Sequence, residues 1–206
     1  MMRDRGMSGG VCYHCDMSST LSPGHDPPER GLTHRDLDYT PDDGNRWELI
    51  DGSLFVTPFP TYAHQLASTE LTFLLLAHVR ANQLGKVFAA GLKVVLDEPT
   101  GVGPDVVYIS AGRMDGMRED GFHGAPDLLV EILSSKPELD RVVKFHKYAA
   151  AGVPHYWIVD PERRSIREYR LEGDGYRLVA EHVGDTDFEP VLFPGLTVPL
   201  AELWIR

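Results

Sequence analysis

Pro104-Asp105-Val106-Val107-Tyr108-Ile109 and Asp127-Leu128-Leu129-Val130-Glu131-Ile132-Leu133-Ser134 are the two runs on which the fold of this chain turns. Each reads as a short buried strand, rich in aliphatic residues and bounded by polar or turn-forming ones. The second has an anomaly. Glu131 stands where full burial predicts another aliphatic side chain, and a carboxylate inside an apolar strand is costly unless it is paired or binds a cation. A helical segment follows, from Leu139 to Ala151, and carries Lys144. An acid at a strand start, an acid inside the next strand and a nearby lysine are the ingredients of a divalent-metal site that cleaves phosphodiesters.

Each residue also has a plainer reading. Asp105 alone would be a turn aspartate. Glu131 makes the stronger case, because unpaired buried carboxylates are rarely tolerated. On a regular helical wheel Leu139, Val142, Val143, His146 and Ala149 form one stripe and Lys144 points away, toward solvent and Asp140. If Phe145 and Tyr148 face the sheet instead, the long stem of Lys144 reaches the carboxylates. Glu48, beside Trp47 in an early strand, reads on its own as a strand-edge surface acid. His64 and Gln65 begin a helix, where capping or packing is the expected role. Lys136, Arg141, Lys144 and Lys147 would make a modest basic edge able to meet phosphates.

Several stretches in this order resemble the Uma2 family of restriction-endonuclease-like proteins, within the PD-(D/E)XK nuclease superfamily. They are Trp47-Glu48-Leu49-Ile50-Asp51-Gly52, Thr57-Pro58 with His64-Gln65, and Pro104-Asp105. Gly124 through Ser134, Lys144 with Tyr148, and Ala151 through Pro161 complete the series. The resemblance runs from about Asp36 to the C-terminus. The superfamily's lysine position, two residues after the glutamate, holds Leu133 here, and Ser53 stands where relatives carry an acid after Asp-Gly.

The resemblance implies an α/β domain with a restriction-endonuclease-like core, a mixed β-sheet flanked by helices. It implies an endonuclease that hydrolyses phosphodiester bonds, with DNA the expected substrate and Mg2+ (Mn2+ as substitute) the cofactor. Asp105, Glu131 and a backbone carbonyl at Ile132 would hold the metal. Lys144 would act on the attacking water and Glu48 would support the site. Two alternatives stay open. One is a catalytically silent protein of the same fold that binds nucleic acid or a partner protein, and the other is hydrolysis of a different phosphoester. A metal-sized gap among the acids favours the enzyme; a buried Lys144–Glu131 pair without a cleft favours the silent protein.

The whole chain has 206 residues, 42% hydrophobic and 25% charged, which is ordinary for one globular domain. A net charge of -11 argues against broad non-specific grip on DNA, although it suits a cluster of acids on a metal. No apolar run is long enough for a membrane span and no secretory pattern is evident, so the expectation is a cytoplasmic protein without a membrane partner. Residues 1–32 read as a disordered leader and 33–206 as one domain. Cys12 and Cys15 lack a second ligand pair at zinc spacing. Asp51-Gly52 between two short strands predicts a tight hairpin. A helix is expected over Tyr62 to Gln83, with Leu66, Phe73, Leu74 and Ala77 on its core face and Gly85 ending it. The polar stretch Ala111 to Gly124 reads as loop. Phe193, Leu200 and Trp204 are expected at the surface, from which a symmetric homodimer follows.

Overall fold

The computed structural model describes residues 31–134 and 139–205. The leader with Cys12 and Cys15, and Lys136 of the expected basic edge, lie outside the described residues. Fourteen strands follow one another among them: β1 (Arg46–Ile50), β2 (Ser53–Thr57), β3 (Gly85–Ala89), β4 (Val94–Asp97), β5 (Thr100–Val102), β6 (Val106–Ser110) and β7 (Met117–Arg118). Then come β8 (Gly121–His123), β9 (Leu128–Ile132), β10 (His155–Asp160), β11 (Ser165–Glu172), β12 (Gly175–Val183), β13 (Asp187–Phe188) and β14 (Val198–Pro199). Helix α1 spans Tyr62–Ala81 and α2 spans Phe145–Ala150.

The strands form two six-stranded mixed sheets, ordered β12-β11-β10-β9-β6-β3 and β2-β1-β5-β4-β8-β7, plus the β13-β14 pair. The sequence alone suggested one mixed sheet. The second was hidden because β5, β7 and β8 are only two or three residues long. Two of them fall in the stretch expected to be loop.

In the first sheet β9 and β10 run parallel, joined through α2, while β6 and β9 are antiparallel neighbours. A parallel pair needs such a crossover. Both faces of β9 are therefore covered, and its five residues are all buried. On one face Leu128, Val130 and Ile132 pack with Ala67, Leu71, Leu75 and Val79 of α1 and with the C-terminal tail. On the other face Leu129 and Leu133 pack with Tyr148, Tyr156, Ile158 and the apolar face of the second sheet. Glu131 alternates with Ile132 and so points to this second face, between the two sheets and α2.

The β1–β2 turn is the one Asp51-Gly52 predicts. Both residues have positive φ, 48° and 74°, as a two-residue hairpin turn matching strand twist requires. Ile50 pairs with Ser53 across it.

Three expectations are corrected. The buried face of α1 is His64, Ala67, Ser68, Leu71, Leu75 and Val79, and Phe73 is 62% exposed. The run Leu71 to Leu75 is apolar on nearly every side, so hydropathy alone does not single out the core face; of the expected stripe Leu74 packs, half-buried, against the core. The helix ends at Ala81, with Asn82 as its C-cap and Gln83 in the left-handed conformation at φ 55°. Phe193, Leu200 and Trp204 are buried in the α1 core, and Trp204 donates its indole N–H to Gly184 O at 2.9 Å. The surface argument for a dimer falls with them. No helix among the described residues is long and apolar enough to cross a membrane.

Candidate active site

Four carboxylates and two basic side chains meet on the inner face of β9. Glu131 comes from its middle. Asp105 stands just before β6, where its amide donates to Val130 O at 3.1 Å and its Oδ2 accepts the Ile132 amide at 2.7 Å. Asp105 is thereby fixed across the strand from Glu131. Two residues of β1 with one side-chain direction, Arg46 and Glu48, enter from the second sheet. Glu48 is fully buried, not a surface acid, and its Oε1 accepts the Gly103 amide at 2.8 Å.

Lys144 is completely buried at the centre. Its Nζ lies 2.9 Å from Glu48 Oε2, 3.0 Å from Glu131 Oε1 and 3.2 Å from Asp140 Oδ1. The helical wheel failed here for a physical reason. Leu139–Lys144 is wound as a wider π-type turn before α2 begins, and such turns recur at functional positions. The wider turn leaves Val142 and Val143 exposed and directs Asp140 and Lys144 inward. Phe145 and Tyr148 then face the sheet. The hydroxyl of Tyr148 donates to Glu131 Oε1 at 2.7 Å.

Asp105 has its own partners. Its Oδ1 accepts from Arg46 Nη1 at 2.7 Å, and its Oδ2 lies 3.1 Å from His64 Nε2. An ionised carboxylate only accepts, so Nε2 of His64 carries the proton. Nδ1 of the same ring is buried and has no hydrogen-bond partner among the described residues. His64 reaches this place because the side chain of Thr61 caps α1 through the His64 amide.

Burial opposes the charge of Asp105, but His64, Arg46 and the Ile132 amide outweigh it and hold its pKa at about 2. Glu131 is pushed well above the usual range by burial, offset by Lys144 and reinforced by Asp140, Asp105 and Glu48. Asp140 is raised too, by burial first and Lys144 against it. Lys144 is raised because three carboxylates outweigh its own desolvation, so it stays an ammonium at neutral pH.

Oε2 of Glu131 is buried with no hydrogen-bond partner among the described residues. Glu48 Oε2, although 2.9 Å from Lys144 Nζ, is not aligned for a hydrogen bond. Two buried, underused carboxylate oxygens within an excess of acid fit a hard cation such as Mg2+ by donor chemistry. Ile132 contributes its amide N–H to the cluster. Among the described residues no three His, Cys, Asp or Glu side chains already converge as a metal site, since Lys144 lies between the acids.

The expected residues Glu48, Asp105, Glu131 and Lys144 are thus brought together. Arg46, His64 and Asp140 complete the cluster. Arg46 could have been found from its two-residue spacing to Glu48, and His64 from the correct stripe of α1. The expected basic edge does not form as a free strip. Lys144 is buried, Arg141 bonds Asp160, and Lys147 bonds Asp51 and Asp97.

A family model described as "Uma2: Putative restriction endonuclease" matches residues 34–201. No curated protein matches. Among solved structures, the chain is similar to one described as a putative nuclease belonging to DUF820 from Anabaena variabilis ATCC 29413. The TM-score is 0.66 at 21% identity, over 81% of this chain and 96% of that one. At that identity the likeness shows the fold.

Proposed function

This chain belongs to the Uma2 family, and we propose that it is a metal-dependent endonuclease acting on DNA through Glu48, Asp105, Glu131 and Lys144. The observation that carries the reading is the unpartnered Oε2 of Glu131, buried in a cluster of four carboxylates against one ammonium and one guanidinium. Most buried polar oxygens find hydrogen-bond partners. A cluster of acids that leaves two buried carboxylate oxygens short of partners is suited to take a cation.

Asp105 and Glu131 would hold the ion, Mg2+ with Mn2+ as substitute. Bound there, it would supply Lewis acidity at the phosphate and acidify a water. The chain's own groups do the rest. Lys144, held as an ammonium, serves as a donor that orients water and stabilises developing negative charge, not as a base. Asp140, with its raised pKa, is the carboxylate suited to take up the proton that water loses. Glu48 and Tyr148 position Lys144 and Glu131. His64 and the Ile132 amide fix Asp105.

The second reading, a silent protein of this fold, is favoured by the buried Lys144–Glu131 pair. Nicking of supercoiled plasmid separates the two. The enzyme reading expects Mg2+- or Mn2+-dependent nicking that stops with chelator and is absent from Glu131→Gln. Equal nicking by that variant, or none by the folded wild type under any divalent metal, refutes it.

A further inference from the structure

Arg46 differs from every other member of the cluster in one respect. Its side chain is 28% exposed, while those of Glu48, Asp105, Glu131, Lys144 and Asp140 lie between 0% and 9%. It is where the cluster reaches solvent. Only its Nη1 is engaged, with Asp105 Oδ1 at 2.7 Å and Gly103 O at 2.9 Å. Nε and Nη2 donate to no described residue. A guanidinium with Nη1 on a buried carboxylate and its Nε and Nη2 uncommitted keeps donors of the planar fork that grips phosphate oxygens in pairs. Two other cations of the α2 region are already paired, Arg141 with Asp160 and Lys147 with Asp51 and Asp97.

Asp105 supplies the second half of the argument. Among the described residues, its Oδ2 is held by the Ile132 amide and His64, both buried, whereas its Oδ1 is held only by Arg46. Of its two oxygens, Oδ1 is the one that can be released, and the movable partner is the exposed one.

Resting on the reading of this cluster as the active site, we infer that Arg46 is the residue that binds the backbone phosphate of the nucleic acid. In binding it, Arg46 turns away from Asp105 and frees Oδ1 for the metal. Phosphate and metal binding are then coupled. Linkage makes the coupling reciprocal: each raises the affinity for the other by the same factor. The arrangement also keeps Asp105 neutralised until a substrate arrives, so the free protein binds metal weakly.

The probe is a short single-stranded DNA with phosphorothioate linkages, which resists cleavage. Its affinity in chelator is measured by fluorescence anisotropy, and Mn2+ affinity is measured by calorimetry with and without it. For the wild type, the DNA should tighten Mn2+ binding about tenfold, the size of an ordinary coupling. Arg46→Gln should weaken DNA binding roughly tenfold, as expected for one charge-assisted phosphate contact. Its Mn2+ affinity should no longer respond to DNA. Arg46→Lys guards against simple misfolding, since it keeps a cation on Asp105 but lacks the fork. It should melt close to the wild type and still lose most of the coupling. DNA binding unchanged in both variants, or coupling intact in either, overturns the proposal. Wild type that nicks plasmid while DNA binding ignores Arg46 sinks this inference alone. Wild type that binds DNA through Arg46 yet never cleaves sinks the nuclease reading alone.

Discussion

Lys144→Met replaces the buried ammonium by an apolar side chain of similar length. Three carboxylates, Glu48, Glu131 and Asp140, then face one another without the cation that sits 2.9 to 3.2 Å from each. Removing one partner of a buried ion pair costs about 3–5 kcal/mol, because the remaining charge is left uncompensated. In a domain of this size each kcal/mol moves the melting temperature by roughly 2–4 °C, so a fall on the order of 10 °C is expected at pH 8. The loss must depend on pH. Glu131 and Asp140 already have raised pKa values, and losing Lys144 raises them further. A carboxylate whose folded pKa lies above its unfolded value holds its proton more tightly when folded. Its folded state therefore gains stability as pH falls from the folded pKa toward the ordinary carboxylate value. The deficit of the variant should shrink as pH falls from 8 toward the ordinary carboxylate range. A divalent cation should do the same at fixed pH, by about 2.7 kcal/mol once the metal is at a hundred times its dissociation constant. Scanning calorimetry of both proteins across pH, with and without Mn2+, reads all three effects. A variant as stable as the wild type at pH 8, or one indifferent to both acid and metal, would refute the view that Lys144 neutralises a cation site.

Two further outcomes follow from the same geometry. Asp105→Asn should cost roughly 2 kcal/mol at neutral pH, because the folded pKa is about 2 against an ordinary 3.8. That contribution is present above about pH 4 and disappears as pH falls toward 2, so the variant's acid limb should be flatter in pH-dependent melting. Glu131→Gln should leave metal-free stability within about 1 kcal/mol, since Lys144 keeps Glu48 and Asp140. It should lose the metal-dependent rise in melting temperature, and a fall of several kcal/mol without metal would mark Glu131 as a purely structural partner.

The features readable in the sequence were those set by local chemistry. Asp51-Gly52 specifies its turn because both residues must take positive φ. Glu131 announces itself because it carries charge in the middle of an otherwise aliphatic strand whose five residues are all buried. Asp105 was found by the convergence of two neighbouring strands, and β6 and β9 do pair. The misreadings arose where long-range packing overrides local pattern. The π-type winding of Leu139–Lys144 rotates a stripe that a regular wheel places elsewhere. The apolar run in α1 has no single hydrophobic face, so from sequence His64 reads as a cap or packing residue. Phe193, Leu200 and Trp204 look superfluous until the tail is seen folded over α1 and the first sheet. Strands of two or three residues carry too little period to show a second sheet, and that sheet is what buries Glu48 and brings Arg46 to the mouth.

The central claim is that Asp105 and Glu131 form a cation site. Anomalous diffraction from crystals grown with Mn2+ and a phosphorothioate oligonucleotide tests it most directly. The account predicts a single strong peak within coordination distance of Glu131 Oε2 and Asp105 Oδ1, with Arg46 turned onto a phosphate. Mn2+ absent from the cluster at saturating concentration, with Arg46 still on Asp105 and Lys144 still bridging Glu48, Glu131 and Asp140, would contradict it.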